Sequence, residues 1–303
     1  MLALFGPTAT GKSTVAHALA LALGGEVVVA DPFQRYRGLE IASDAPDDAE
    51  MAQVRYHLVR DLELHEDSTA GEFAESSHAV IDALLDAGRL PIVAGGTGLY
   101  VRAALCDLQM RPAPPEDVRA WAEALGADPP RARAELARLD PAAVDAVDTA
   151  NPRRLVRALE RAATGDAGAP GDIWSAPPRH PTLVVGLDRP REVLASLIAQ
   201  RVQRELDDGL VGELEAAAVH AGLARGPQQV IGMREVRALQ DGEMSPDALP
   251  EALAARTRRL ARMQRTWMRR MAPDAVIDLG DRPAADGVPE VLALWRRCLE
   301  GVG

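Results

Sequence analysis

Short apolar runs alternate along this chain with longer stretches of helical periodicity. "MLALF" (1–5) reads as a short buried strand, followed by a glycine-rich loop and by "KSTVAHALALAL", a helix from Lys12 to about Leu23. "GGEVVVAD" (24–31) is a second apolar strand and ends in an acid. In "STAGEFAESSHAVIDALLDAGR" (68–89), Ser68 or Thr69 suits an N-cap, and Ala70, Phe73, Ala74, Val80, Ile81, Leu84 and Leu85 form one apolar face. "LPIVAGG" (90–96) is a third strand; "TLVVGLD" (182–188) and "AVIDL" (275–279) are later ones. Strands alternating with helices predict an α/β fold, a parallel sheet with helices on both faces.

Between about 108 and 180 the pattern changes to helical pieces punctuated by proline, "PAPPEDVRAWAEALG" and "PPRARAELARLDPAAVDAV", and then a loop over 164–181. The expected organisation is a core of 1–110 and 182–303 interrupted by a helical insertion at 111–181. Within the core, 191–221, 228–240 and 247–271 read as helices.

Composition narrows the class. A chain of 303 residues, 47% hydrophobic and 26% charged, can build a large core. No apolar run approaches the roughly 20 residues that span a bilayer. No basic N-terminal region followed by an apolar stretch and a cleavage site is present, so the expected location is the cytosol, without a membrane partner. Cys106 and Cys298 form no CxxC, which points away from a disulfide framework or a zinc site. The net charge of -11 argues weakly against a nucleic-acid partner, but its distribution matters more. "RTRRLARMQRTWMRR" (256–270) and "NPRRLVRALERA" (151–162) are strongly basic. Lys12 is the only lysine, and it lies inside the glycine loop, where a compact ammonium suits phosphate oxygens better than a guanidinium.

That loop, "GPTATGKS" (6–13), fits G-x-x-x-x-G-K-[ST] in the strand–loop–helix context that gives the motif meaning. Across Gly6, Pro7, Thr8, Ala9, Thr10 and Gly11 the glycines let backbone amides turn toward phosphate oxygens, and the helix N-terminus adds partial positive charge. Lys12 neutralises terminal phosphates, and Ser13 is the candidate Mg2+ ligand. Asp31, at the end of the second strand, is either an acid that helps hold magnesium, a general base, or a turn cap. "GGTGLY" (95–100) belongs at the ligand-binding edge of a parallel sheet, a weak signal by itself. On the helix at 256–270, Arg258, Arg262, Arg265 and Arg269 recur as a stripe suited to phosphate backbones, with Leu260, Met263 and Trp267 on the opposite face. Arg234, in "IGMRE", lies near a turn in a helical region.

Five segments in order resemble the bacterial tRNA dimethylallyltransferases: "GPTATGKS", "ADPFQRYRGLEIASDAP" (30–46), "GRLPIVAGGTGLYVRAAL" (88–105), "QVIGMREV" (229–236) and "TRRLARMQRTW" (257–267). The resemblance covers nearly the whole chain and implies a P-loop NTPase-like sheet core. It implies transfer of a dimethylallyl group from dimethylallyl diphosphate to the N6 amine of adenosine at tRNA position 37, with Mg2+ as cofactor and a monomeric enzyme. It assigns catalytic work to Lys12, Ser13, Asp31 and Thr97, and makes Asp31 the candidate base. Arg201 and Arg234 would steady the diphosphate or nearby tRNA. Asp31, Pro32, Phe33, Gln34 and Thr97 would meet the target base. Arg119, Arg153, Arg154, Arg157, Arg258 and Arg262 would contact the tRNA anticodon stem-loop. The chain departs from the family's wording at Pro32, Ala45 (where a lysine is usual), Met233 and Met263. A small-molecule P-loop kinase or an adenylate prenyltransferase would also use the loop and Asp31, but would leave the Arg-rich segments without a purpose.

Overall fold

The computed structural model describes residues 1–108, 114–165 and 173–300. It divides into two compact units, Met1–Leu108 with Ile173–Gly303, and Gln109–Asp172. Residues 112–113 of the first expected insertion helix and 166–172 of the expected loop lie outside the described residues.

The larger unit is built on six parallel strands: β1 (Leu2–Phe5), β2 (Glu26–Val29), β3 (Tyr56–His57), β4 (Pro91–Gly95), β5 (Leu183–Asp188) and β6 (Ala275–Asp278). Their order is β3-β2-β4-β1-β5-β6. The two-residue β3 was not expected; it joins the edge through Val27 opposite Tyr56 and Val28 opposite His57. The helices of this unit are α1 (Lys12–Leu23), α2 (Glu40–Ser43), α3 (Asp48–Gln53), α4 (Ala70–Asp86) and α5 (Gly98–Leu105), and, after the insertion, a second set. The insertion holds α6 (Glu116–Gly126), α7 (Pro129–Leu139), α8 (Pro141–Ala146) and α9 (Pro152–Ala163). The second set is α10 (Arg191–Asp207), α11 (Leu210–Ala218), α12 (Met233–Gln240), α13 (Leu249–Met271) and α14 (Val288–Glu300).

Local chemistry sets these boundaries. α1 lies between Gly11 at φ 92 and Gly24 at φ 62, both left-handed positions that glycine adopts without strain. α4 starts at a capping box in which Thr69 accepts from the Glu72 amide and Glu72 reaches back. The expected continuous helix at 191–221 is two, because Gly209 turns the chain at φ 100. Where 228–240 was expected helical, a 3-10 turn at Pro227–Gln229 precedes α12.

Leu2, Leu4, Val15, Leu19, Ile92, Val185, Ile277 and Val291 form the core on one face of the sheet. A separate cluster, including Tyr36, Leu39, Ile198, Leu214, Met233 and Leu253, joins α10–α13 to the segment after β2. The insertion has its own small core of Ala122, Ala132, Leu136, Leu155 and Leu159. In the sheet, β1 lies between β4 and β5. The carboxyl ends of β1, β2 and β4 open onto the crevice where ligands of open parallel sheets bind. Among the described residues no helix is long and apolar enough to cross a membrane.

Candidate active site

The loop after β1 is held from several sides. A Cβ at Gly6 would collide with the carbonyl oxygen of Leu187 on β5, so only glycine lets β1 run this close. The Pro7 carbonyl accepts from Lys12 Nζ at 2.6 Å and from Thr10 Oγ1 at 2.8 Å. Ala9 is left-handed at φ 64. The Thr10 carbonyl accepts from the guanidinium of buried Arg189 at 3.1 Å, and that side chain also bonds the carbonyls of Gly280 and Arg282. The Thr8 amide donates to Gln264 Oε1 at 2.7 Å.

The loop borders a cavity of about 430 Å3 lined, among others, by Thr8, Lys12, Ser13, Asp31, Phe33, Gln34, Arg201 and Gln264. Ser13 is exposed at the start of α1. Burial pulls the Lys12 ammonium down to about 8, with the Arg201 charge pulling the same way and Asp31 and Asp44 opposing. Burial pushes the Asp31 carboxyl up, although the Phe33 and Gln34 amides and the charges of Lys12 and Arg201 favour its ionised form. Asp31 Oδ1 accepts from the Phe33 amide at 2.9 Å across Pro32, and the Gln34 side chain bonds the carbonyls of Ser43 and Asp44 at 3.2 Å. Arg201 donates to Thr8 Oγ1 and to Glu205 and forms an ion pair with Asp44.

Of the residues singled out from the sequence, the cavity gathers Thr8, Ala9, Gly11, Lys12, Ser13, Asp31, Phe33, Gln34 and Arg201. Thr97 stands at the N-terminal boundary of α5, without a side-chain capping bond, just beyond Gly95 and Gly96, which line the cavity. Gly98 leaves no room for a side chain between Trp174 and Trp267. Arg234 is exposed on α12 and is not among the lining residues. In the insertion, Arg119 is half-buried on α6, and Arg153, Arg154 and Arg157 are exposed on α9, where Arg154 pairs with Asp148 and Arg157 with Glu160.

The expected stripe on α13 needs correction. Arg262 and Arg269 are exposed and Arg258 pairs with Glu251, but Arg265 leaves the stripe to bind Asp188 at 2.8 Å. Met263, expected on the opposite face, is 43% exposed. The buried face is Leu253, Ala254, Thr257, Ala261, Gln264, Met268 and Met271. Gln264 was missed as a site residue. Its signal was a polar side chain at i+3 from Ala261 and i+7 from Thr257, within a stripe that packs inward.

The glycine-rich loop after β1, an acid just past the end of β2 and an arginine from α10 thus share one cavity. The model of the family described as IPP transferase matches residues 34–271. The chain belongs to that family. Curated relatives of this chain include the tRNA dimethylallyltransferase of Kocuria rhizophila, 36% identical over 95% of this chain and 92% of its own length. That of Saccharopolyspora erythraea is 40% identical over 89% and 88%. The solved full-length tRNA isopentenylpyrophosphate transferase of Bacillus halodurans superposes with a TM-score of 0.75 at 29% identity, over 99% of this chain and 96% of that one.

Proposed function

We propose that this IPP transferase is a tRNA dimethylallyltransferase, moving a dimethylallyl group from dimethylallyl diphosphate to the N6 amine of adenosine 37 in the tRNA anticodon loop. The observation that carries this reading is the single cavity in which Lys12 and Arg201 meet Asp31 beside a phosphate loop. The diphosphate is the leaving group. Loop amides, the α1 N-terminus, Lys12 and Arg201 take up the charge that grows on it as the carbon–oxygen bond breaks.

Adenine N6 is a poor nucleophile because its lone pair is delocalised into the ring. Asp31 accepts the proton that N6 releases as the nitrogen–carbon bond forms, and a carboxyl raised by burial is the better base for that step. The base must leave its stack to reach this depth. Phe33, Gln34 and Thr97 are the nearest candidates to receive it, and Arg119, Arg153, Arg154, Arg157, Arg258 and Arg262 to contact the stem-loop backbone. Arg234 stands outside this assignment, being exposed and away from the cavity lining.

Among the described residues no group of three or more His, Cys, Asp or Glu could hold a metal alone. The donor set fits a magnesium ion that arrives with the diphosphate, held by its oxygens and the Ser13 hydroxyl. Such an ion would supply further positive charge against the leaving group.

The test is incubation with dimethylallyl diphosphate, Mg2+ and unmodified tRNA, followed by mass analysis of anticodon-loop fragments. One added dimethylallyl mass on a single adenosine is expected. ATP turnover without transfer to tRNA would refute the reading.

A further inference from the structure

Arg201 donates to the loop hydroxyl of Thr8, yet its guanidinium is engaged elsewhere as well. Nε donates to Glu205 Oε1 at 2.6 Å, whereas Nη1 donates to Thr8 Oγ1 at 3.0 Å and forms an ion pair with Asp44 Oδ2 at 3.0 Å. The two carboxylates differ in kind. Glu205 lies one turn along the same helix with its side chain 16% exposed, so it holds the stem of Arg201 in place. Asp44 comes from another element, the turn that ends α2, and its side chain is 51% exposed. It borders the cavity on the same nitrogen that touches the phosphate loop.

We propose that Asp44 is an internal stand-in for the anionic ligand: its carboxylate occupies the Nη1 edge of Arg201, and a diphosphate takes that edge by displacing it. This rests on the reading of the cavity as a diphosphate site. Carboxylate and phosphoryl oxygens compete for the same planar fork of donors, and a diphosphate that bound with Asp44 still in place would share one guanidinium with a second anion. The turn at 42–46, "ASDAP", supplies no lysine or arginine to cancel that charge. The exposed half of Asp44 lets the carboxylate swing into water rather than be buried unpaired. Its carbonyl also accepts from Gln34 Nε2 at 3.2 Å, so release of the turn is felt by a side chain that lines the same cavity.

The alternative role, positioning Arg201 for the ligand, predicts the opposite sign, so one variant separates the two. Asp44 is left-handed at φ 54, a conformation asparagine adopts as readily, and Glu205 still holds Arg201, so Asp44→Asn keeps the local fold. Calorimetric titration of the full chain with magnesium pyrophosphate is the measurement. Asp44→Asn is expected to bind about threefold to tenfold more tightly than wild type, as loss of one partly exposed competing charge implies. Glu205→Gln, which loosens the stem and leaves the competitor, is expected to bind more weakly. Wild-type binding with no gain in Asp44→Asn overturns the stand-in role alone. A wild-type protein that does not bind pyrophosphate overturns both this inference and the diphosphate reading.

Discussion

Lys12 carries a charge that its buried surroundings and the nearby Arg201 disfavour. Its pKa falls from 10.5 to about 8, chiefly through burial and secondly through the Arg201 charge. At 1.36 kcal/mol per pH unit, this displacement means that the ammonium destabilises the ligand-free fold by about 3 kcal/mol at pH 7. Lys12→Met removes the charge but also the hydrogen bond from Nζ to the Pro7 carbonyl, worth about 1 kcal/mol. The variant is therefore expected to be more stable than wild type at pH 7 by about 2 kcal/mol, while losing pyrophosphate binding. The sign of the pH dependence follows. Between about 8 and 10.5 the unfolded chain keeps a proton that the folded chain has released, so wild type gains stability as pH rises through that window. The variant has no such gain, and its advantage should shrink steadily from pH 7 to pH 10. Urea unfolding of both proteins without diphosphate measures this. Taking the difference removes the alkaline effect of Tyr36 and Tyr100, both pushed up to about 12 and common to the two proteins. A Lys12→Met protein less stable than wild type at pH 7, or an advantage that does not change with pH, would refute the argument.

Asp31→Ala should lower the single-turnover rate by about a thousandfold, in the range of a lost general base, while tRNA binding measured by filter retention holds. Burial raises the Asp31 carboxyl, so the wild-type rate should fall on the acid side with a midpoint above the ordinary 3.8. Gly6→Ala forces a Cβ against the backbone of β5, which cannot yield without opening the sheet; a cost of about 1–3 kcal/mol in urea unfolding and weaker pyrophosphate binding are expected. Gly24→Ala, with open space and only its φ of 62 to strain, should cost about 1 kcal/mol and leave pyrophosphate binding intact. Arg262→Ala should weaken tRNA binding and reduce the slope of log affinity against log salt by about 1, read from titrations at several salt concentrations.

What was legible in the sequence was local. Lys12–Leu23 is bounded by its own glycines, and the start of α4 by Thr69 and Glu72 three residues apart. The alternation of apolar runs and helices was enough for the parallel sheet. β3 escaped because two half-buried residues carry no period; they join β2 through backbone pairing and through a side-chain bond from His57 to Glu26. α14 escaped because only Val291 is fully buried along it. Lys12, Ser13 and Asp31 could be named because the loop and the strand ends place them within a short span. Arg265 and Gln264 could not be placed, since their partners, Asp188 and Thr8, lie 77 and 256 residues away. The helical period shows which face of α13 is polar but not which arginine finds a carboxylate across the sheet.

The bond between Gln264 and the Thr8 amide bears on how the protein is made. The glycine-rich loop leaves the ribosome well before its partners do: the Thr8 amide bonds a side chain synthesised 256 residues later. Arg189 and Arg201, which also hold the loop, follow Thr10 and Thr8 by 179 and 193 residues. Contacts of such sequence separation form late in folding. During synthesis the nascent chain therefore carries an unfinished loop, and under the proposed function its grip on a diphosphate would arrive only with α13, when the arginines of that helix are also in place.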